Sequence, residues 1–580
     1  MPARLTRASG IGTAAATTQA AAVWRAVALA LAGFIAVKVA LLFVLGVNAQ
    51  YLMDEYAMAR HALLIDQNPY QDVWPHKTLF YAYLYRIAFW LGGDSVEVMR
   101  FARIETLAVA LASLALLYAI ARNLGRSRLE AGLALCVALG FSTLMERAFM
   151  VRPEPLALLF GLGALWAVTR GAVRPSACLL AGLLSGAAFL TTQKAVYLNL
   201  ALGLALVAEG LLDRSPRRAL AWGALLVLGW AAMLAAYVGH FALAGAEPAD
   251  VLNRVFFGPP SENAVRGHEV YENLRYFVWQ TFSRNVPQYV FSLFGWLLAA
   301  ATLRGRFPGE RVALVFTAVV SGLVYGLHPA PWPYNFVLAI PFLALWSPLV
   351  LEPVRRGPER TRALLVAAVL AIMSLSVVRN IAYLEHDNAA QNETVRRAER
   401  LLAPGEPYFD GIHMVVTRPH ATDLWLQRSE LLEILAGAKR GDYSTIERVL
   451  AEGPKVWILS YRTKTIEDVL RPYLERSYVA VAPNLLLSGV ALPGPGETVF
   501  ETRWGGVYRL RAGDGTPSPA ELFVDGRRLS GAVALEPGRH SLRLAEGAGP
   551  LYLLPADLAG PVQIPPEPNQ TPLFPDAHVY

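Results

Sequence analysis

The sequence predicts a polytopic α-helical membrane protein of about 11 transmembrane helices, with interfacial helices in the first outer loop and an extracytoplasmic C-terminal part. Three observations predict it. Of 580 residues, 55% are hydrophobic and only 17% charged, against roughly 25% charged in an average soluble domain. Apolar runs close to the ~20 residues needed to cross a hydrocarbon core recur along the first two thirds of the chain. Lysine and arginine fall unevenly between the connecting loops. This composition excludes a disordered chain and a nucleic-acid binder. The net charge of +7 resides mainly in short loops between apolar runs, where it signals topology.

The runs lie at 23–46, 104–121, 129–144, 155–169, 177–190, 195–211, 219–240, 288–303, 312–327, 335–351 and 363–378. Val47-Asn48-Ala49 resembles a cleavage site, but the apolar core before it is longer than the ~7–15 residues of a signal peptide, so the first run reads as a retained anchor. One set of loops holds Arg122, Arg126 and Arg128, then Arg170 and Arg174, then Arg214, Arg217 and Arg218, and later Arg304, Arg306, Arg311, Arg355, Arg356, Arg360 and Arg362. The opposite short loops hold only Arg147, Arg152 and Lys194. The positive-inside rule makes the first set cytoplasmic. The long loops 48–103 and 241–287, and everything after about 379, then face outward. Within the first, the aromatic stretch Leu79–Leu91 suits a helix lying at headgroup level.

The chain divides into a cytoplasmic segment 1–22, a membrane domain 23–378, an α/β domain 379–492 and a β-sandwich-like domain with a Pro-rich tail, 493–580. Helical stretches alternating with the short apolar strands KVWILS and SYVAVAP support the third. Alternating residues with turn signals at Asp525-Gly526 and Pro537-Gly538 support the fourth. Cys136 and Cys178 lie in or beside apolar runs, so neither a disulfide framework nor a thiolate metal site is encoded.

The chemistry-bearing residues share the outward side. They are Asp54 and Glu55 after the first span; Asp72, His76 and Lys77 before the interfacial helix; Arg152 and Glu154 in Arg-Pro-Glu-Pro at the mouth of the fourth span; Lys194; and His328 and Tyr334 in a late outer loop. Acids beside cations at one membrane–water interface suit acid/base chemistry on a phosphate-bearing lipid. Lys77 and Tyr334 could equally be interfacial anchors, and Arg152 and Glu154 a simple pair at a helix end. Lys38 lies inside the first span, where a charge is a functional hypothesis by default.

Asp54-Glu55, Asn68-Pro69-Tyr70-x-Asp72, Lys77-x-Leu79-x-Tyr81, Arg152-Pro153-Glu154-Pro155, Thr192-Gln193-Lys194 and Tyr334 with Pro341 make residues 25–350 resemble the GT-C superfamily of membrane glycosyltransferases. The likeness is to the bacterial branch of protein O-mannosyltransferases and lipid A aminoarabinose transferases. It implies a sugar carried by a polyprenyl phosphate, Asp54 as base or acceptor-orienting acid, and Lys77, Lys194 and Tyr334 at the donor phosphate, with Arg152 beside them. The family usually has Asp where this chain has Glu154, and Pro where it has Thr78.

The expected activity is transfer of a sugar from the carrier to a glycan, lipid or protein on the outer face of a bacterial cytoplasmic membrane, by one inverting displacement. No nucleotide-sugar motif is visible, no metal ligand spacing either, and either no cofactor or a divalent cation is compatible with the acids. The competing readings are a transporter or flippase of lipid-linked sugars, which calls for broken spans with polar groups at the bilayer midplane, and a non-catalytic assembly protein with glycan-binding outer domains.

Overall fold

The computed structural model describes residues 9–73, 75, 78–257, 275–352, 358–422, 426, 428–529, 531–545, 550–558, 562, 564 and 573–574. It separates into two compact units. One comprises Met1–Ala49, Leu63–Leu84 and Arg103–Glu385; the other comprises Gln50–Ala62, Tyr85–Ala102 and His386–Tyr580.

Helices appear where the apolar runs place them. In order they are α1 (Ser9–Asn48), α2 (Met53–Leu64), α3 (Ala82–Leu91), α4 (Ser95–Asn123), α5 (Arg128–Gly140), α6 (Ser142–Arg147), α7 (Pro153–Val168) and α8 (Pro175–Thr191). They continue as α9 (Val196–Leu212), α10 (Pro216–Leu243), α11 (Pro248–Phe256), α12 (Arg275–Arg284), α13 (Val286–Ala301), α14 (Pro308–Ser321), α15 (Ile340–Ala344) and α16 (Glu359–Ala382). Among the described residues six helical stretches are long and apolar enough to cross a membrane, within α1, α4, α9, α10, α14 and α16. Shorter apolar helices fill the remaining runs at 153–168, 175–191, 286–301 and 340–351. Proline opens α7, α8, α10, α11, α13 and α14 in the first turn, where its missing N–H costs nothing. Close approach of α8 to α10 is made by glycine. A Cβ on Gly182 would stand 2.2 Å from the Leu226 carbonyl oxygen, and one on Gly229 would stand 2.3 Å from that of Leu179, the small-residue packing that membrane helices favour.

Two runs differ from single spans. The run 129–144 breaks at Phe141, whose extended backbone separates α5 from α6; the Asn285 side chain accepts from the freed Ser142 N–H at 2.8 Å. The run 335–351 is a 3₁₀ turn Pro333–Leu338, the one-turn α15 and a second 3₁₀ turn Ser347–Leu351. Pro341 and Pro348 deny it continuous i→i−4 bonding, and every residue from 335 to 351 is buried. Non-helical backbone at membrane depth is tolerated when protein covers it. Gly295 of α13 lies against the Trp346 carbonyl, and the Trp346 indole N–H donates to Thr317 of α14 at 2.9 Å.

Charged loops meet at two separate places in the bundle. Arg126 and Arg306 pair with Glu310, and Arg311 pairs with Glu209 at 2.5 Å, all from loops or helix ends of the arginine-rich set. Residues from the opposite loops meet around Glu154, below. Lys38 is fully buried and donates to Ser376 (3.0 Å) and to Asn380 of α16, which makes it a bundle contact.

In the second unit, α2 and the start of α4 join the C-terminal chain. Strand β1 (Tyr408–Phe409) runs parallel to β2 (Val456–Ile458), which pairs antiparallel with β4 (Leu485–Ser488), and β4 with β3 (Tyr478–Ala482). Helices cover this sheet over a core that includes Phe409, Leu431, Ile446, Trp457 and Leu470. Two antiparallel sheets follow, in the orders β10-β7-β12-β5 and β6-β11-β8-β9, and bury Phe500, Tyr508, Leu542 and Leu553 between them. Their strands are β5 (Val490–Leu492), β6 (Gly496–Thr502), β7 (Gly506–Arg511), β8 (Leu522–Val524), β9 (Arg527–Leu529), β10 (Ala532–Leu535), β11 (Gly538–Leu544) and β12 (Leu551–Pro555). Asp525-Gly526, both at positive φ, turns β8 into β9, as a two-residue hairpin requires. Pro537-Gly538 instead carries the chain from one sheet to the other.

Candidate active site

Arg152 precedes Pro153 and is therefore extended, at φ −146° and ψ 158°. That conformation makes it the N-cap of α7 and sets Glu154 in the first helical turn, where the helix dipole favours a carboxylate. Thr192 is extended in the same way at the end of α8, so Lys194 rides on a single 3₁₀ turn between α8 and α9. Tyr334 and Asn335 ride on the turn opened by Pro333.

These three short segments converge on Glu154, which is 1% exposed. One carboxylate oxygen accepts from Lys194 Nζ at 2.7 Å and the other from Arg152 Nε at 3.1 Å. Lys194 Nζ also donates to Asn335 Oδ1 at 2.8 Å, and the Asn335 amide donates to the Ala330 carbonyl at 2.7 Å. Both cations contact one ring: Arg152 Cζ stands 3.4 Å and Lys194 Nζ 4.5 Å from the Tyr334 centroid. Arg152 is buried, whereas Lys194 keeps 24% side-chain exposure. Two cations against one carboxylate give these three side chains a summed charge of +1, with Arg152 and Glu154 shielded from water and Lys194 reaching towards it.

His328 borders the cluster. Its Nδ1 accepts from the Ala330 N–H at 3.0 Å, its ring meets Tyr197 edge-on at 5.4 Å, and its buried Nε2 has no hydrogen-bond partner among the described residues. Burial, then the Lys194 charge, lowers its pKa to about 4, so the ring is neutral at pH 7.

The remaining expected residues lie elsewhere or undescribed. Asp54 and Glu55 occupy the first turn of α2 in the second unit; Glu55 is fully buried and accepts from the Leu52 N–H at 2.9 Å. Asp72 is exposed and receives the Asn68 amide at 2.7 Å, closing a turn in which Asn68 and Tyr70 have positive φ. Lys77 and His76 lie outside the described residues. Their neighbours are fixed: Arg254 donates to the Pro75 carbonyl, and the Leu79 N–H donates to Tyr237 Oη at 2.9 Å, which also bonds Tyr70. Asn335 and Tyr237 were not singled out from sequence. Asn335 is signalled only by its place next to Tyr334, and Tyr237 lies in an apolar span where a tyrosine carries no distinguishing mark. Among the described residues no group of three or more His, Cys, Asp or Glu side chains is placed to hold a metal.

Residues 76–237 match the family model for dolichyl-phosphate-mannose-protein mannosyltransferases, a segment that includes Arg152, Glu154 and Lys194. Residues 435–487 match a domain of unknown function. No curated protein sequence matches the chain. The fold is similar to that of ArnT from Cupriavidus metallidurans bound to undecaprenyl phosphate, with TM-score 0.55 and 15% identity over 78% of this chain and 97% of that one. The apo state of the same protein gives TM-score 0.52 and 16% identity over 78% and 96%. The Archaeoglobus fulgidus oligosaccharyltransferase gives 0.47 and 13% over 78% and 71%. Residues 76–237 thus resemble a dolichyl-phosphate-mannose-protein mannosyltransferase domain, and the chain has a fold like that of ArnT.

Proposed function

We propose that this protein transfers a sugar from a polyprenyl-phosphate carrier to an acceptor on the outer face of the cytoplasmic membrane. The observation that carries the reading is the Arg152–Glu154–Lys194 cluster on the Tyr334 ring. A phosphate monoanion or dianion suits a cationic, partly exposed pocket edge, and charge grows on it as the bond to the sugar breaks. Glu154 holds both cations in place, so neither must reorganise as that charge develops.

A second feature supports the lipid part of the donor. A narrow apolar crevice of about 20 Å³ enters the bundle, lined by Leu42, Leu114, Leu139, Leu158, Pro155 and Val337 among others. Pro155 and Val337 are one and two residues from Glu154 and Asn335, so an apolar chain lodged there would start beside the cluster. The protein whose fold this chain shares was solved with undecaprenyl phosphate bound.

In the proposed reaction an acceptor hydroxyl gives its proton to Asp54 while its oxygen forms a bond to the anomeric carbon. The bond from that carbon to the phosphate oxygen breaks, and its electron pair leaves on the phosphate beside Lys194 and Arg152. One displacement inverts the anomeric centre. The test is carrier release from polyprenyl-phosphate sugars by the purified protein. Asp54→Asn is expected to remove the ~10²–10⁴-fold that a positioned acid/base supplies, and near-wild-type turnover in that variant overturns the assignment of the base.

A further inference from the structure

The helix that carries Asp54 is built into the C-terminal chain at both ends. Before it, the Gln50 N–H donates to the His386 carbonyl at 2.8 Å. The Tyr51 N–H donates to Gln391 Oε1 at 2.8 Å, and the Gln391 amide returns a bond to the Tyr51 carbonyl at 3.0 Å. Gln391, 1% exposed, therefore grips both backbone polar groups of Tyr51 as a neighbouring strand would. Met53, the residue before Asp54, receives the Tyr461 hydroxyl at 2.5 Å and Arg462 Nε at 3.3 Å. Near the other end, Arg60 donates to the Arg418 carbonyl at 2.9 Å.

The loop that offers Arg418 is itself over-determined. The buried Asp410 carboxylate accepts three successive backbone N–H groups, from Ile412, His413 and Met414, at 2.6–2.8 Å. Tyr408 Oη accepts the Val415 N–H at 2.9 Å, and the His420 ring lies against Tyr408 and Phe409. His413 is held at φ +65°, a conformation that a non-glycine residue keeps only when its surroundings enforce it. The same loop binds the start of α4, where Ser95 and Thr417 share Glu399.

We infer that the C-terminal domain is a positioning device for the candidate base: Gln391 at Tyr51, and the Arg418 carbonyl at Arg60, fix the place and rotation of α2 and so aim Asp54. This rests on the proposed role of Asp54. Five side-chain bonds and one backbone bond fall on the eleven residues 50–60, and those at Tyr51 and Met53 act within three residues of the acid. A displacement of about 1 Å in a reacting group can cost roughly 100-fold in rate.

The test uses the full chain in lipid nanodiscs, with undecaprenyl-phosphate mannose as probe donor. Gln391→Leu removes both bonds at similar volume, Gln391→Glu keeps the acceptor alone, and Arg60→Met and Arg60→Lys remove and restore the second clamp. Expected are faster hydrogen exchange in residues 50–62 with unchanged exchange in 155–165, and a kcat lowered roughly 10- to 100-fold at unchanged donor KM. Gln391→Glu should fall between, and Arg60→Lys should recover most of the loss. In an Asp54→Asn background Gln391→Leu should add nothing, because both act through one group. Unchanged exchange in 50–62 overturns the clamp whatever the turnover, and faster exchange with full kcat overturns the positioning role. Full turnover in Asp54→Asn alone overturns the base assignment, with the exchange result still reporting the clamp by itself.

Discussion

Glu154 shows how residue chemistry was only partly legible. Its sidedness with Arg152 and Lys194 follows from loop charge, so the sequence could group the three. That they share one carboxylate depends on Pro153 and Pro155 setting the entry of α7 and on a single 3₁₀ turn at Lys194, geometry that no periodicity encodes. Replacing Lys194 by Met keeps the apolar stem and deletes the ammonium. Charged hydrogen bonds contribute about 1.5–3 kcal/mol, so kcat is expected to fall roughly 10- to 150-fold, with Arg restoring only part because a planar fork differs from a point charge. Wild-type kinetics in the Met variant would reduce the cluster to a structural pair. His328 offers a pH prediction. Its folded pKa, lowered to about 4 by burial and by Lys194, lies below the ordinary ~6.5. Between those values the unfolded chain binds the proton and the folded one does not, so stability falls as pH drops through that window, by about 3 kcal/mol at most. His328→Asn, which retains an acceptor for the Ala330 N–H, should flatten that acid slope in detergent melting curves; identical slopes would mean His328 is not the titrating group.

At the scale of elements, apolar runs located helices well because burial against lipid or protein demands the same residues. They could not locate the interruptions. Phe141 looks like any core residue, and the break there depends on Asn285, well over a hundred positions away, capping Ser142. The interruption in 335–351 did have a signal, Pro341 and Pro348, hidden inside an otherwise uniform hydropathy plateau. Thr78 is an element-level departure with a measurable effect. It is fully buried and its hydroxyl lacks a hydrogen-bond partner among the described residues. An unsatisfied buried hydroxyl costs on the order of 1 kcal/mol or more, so Thr78→Val, equal in shape, should raise the melting temperature; a fall would reveal a partner for that hydroxyl.

For the whole molecule, the predicted orientation is testable through exposed positions. The two native cysteines are buried, which leaves a quiet background. A cysteine at Asp514 should react with an impermeant thiol reagent added outside intact cells, while one at Pro216 or Pro358 should react only after lysis. The reverse pattern would place the Glu154 cluster on the cytoplasmic face. The C-terminal part was legible as mixed helices and strands followed by alternating strands, since turn residues such as Asp525-Gly526 punctuate it. Its embrace of residues 50–62 was not, because Gln391 binds backbone groups that any residue at position 51 would offer, and Arg60 donates to a carbonyl that any residue at position 418 would offer.

The irregular stretch from 333 to 351, buried from 335 onward, bears on how the chain is made. A regular helix can rest in bare lipid as soon as it leaves the insertion machinery, since its peptide groups satisfy one another. This stretch cannot: each peptide group left unsatisfied in hydrocarbon costs several kcal/mol, and its cover comes from α13 and α14. It must therefore settle after those neighbours have assembled. Tyr334 and Asn335 sit at its start, so the cluster around Glu154 closes only once α13 and α14 are in place, and damage to those walls would surface as chains caught by quality control during assembly.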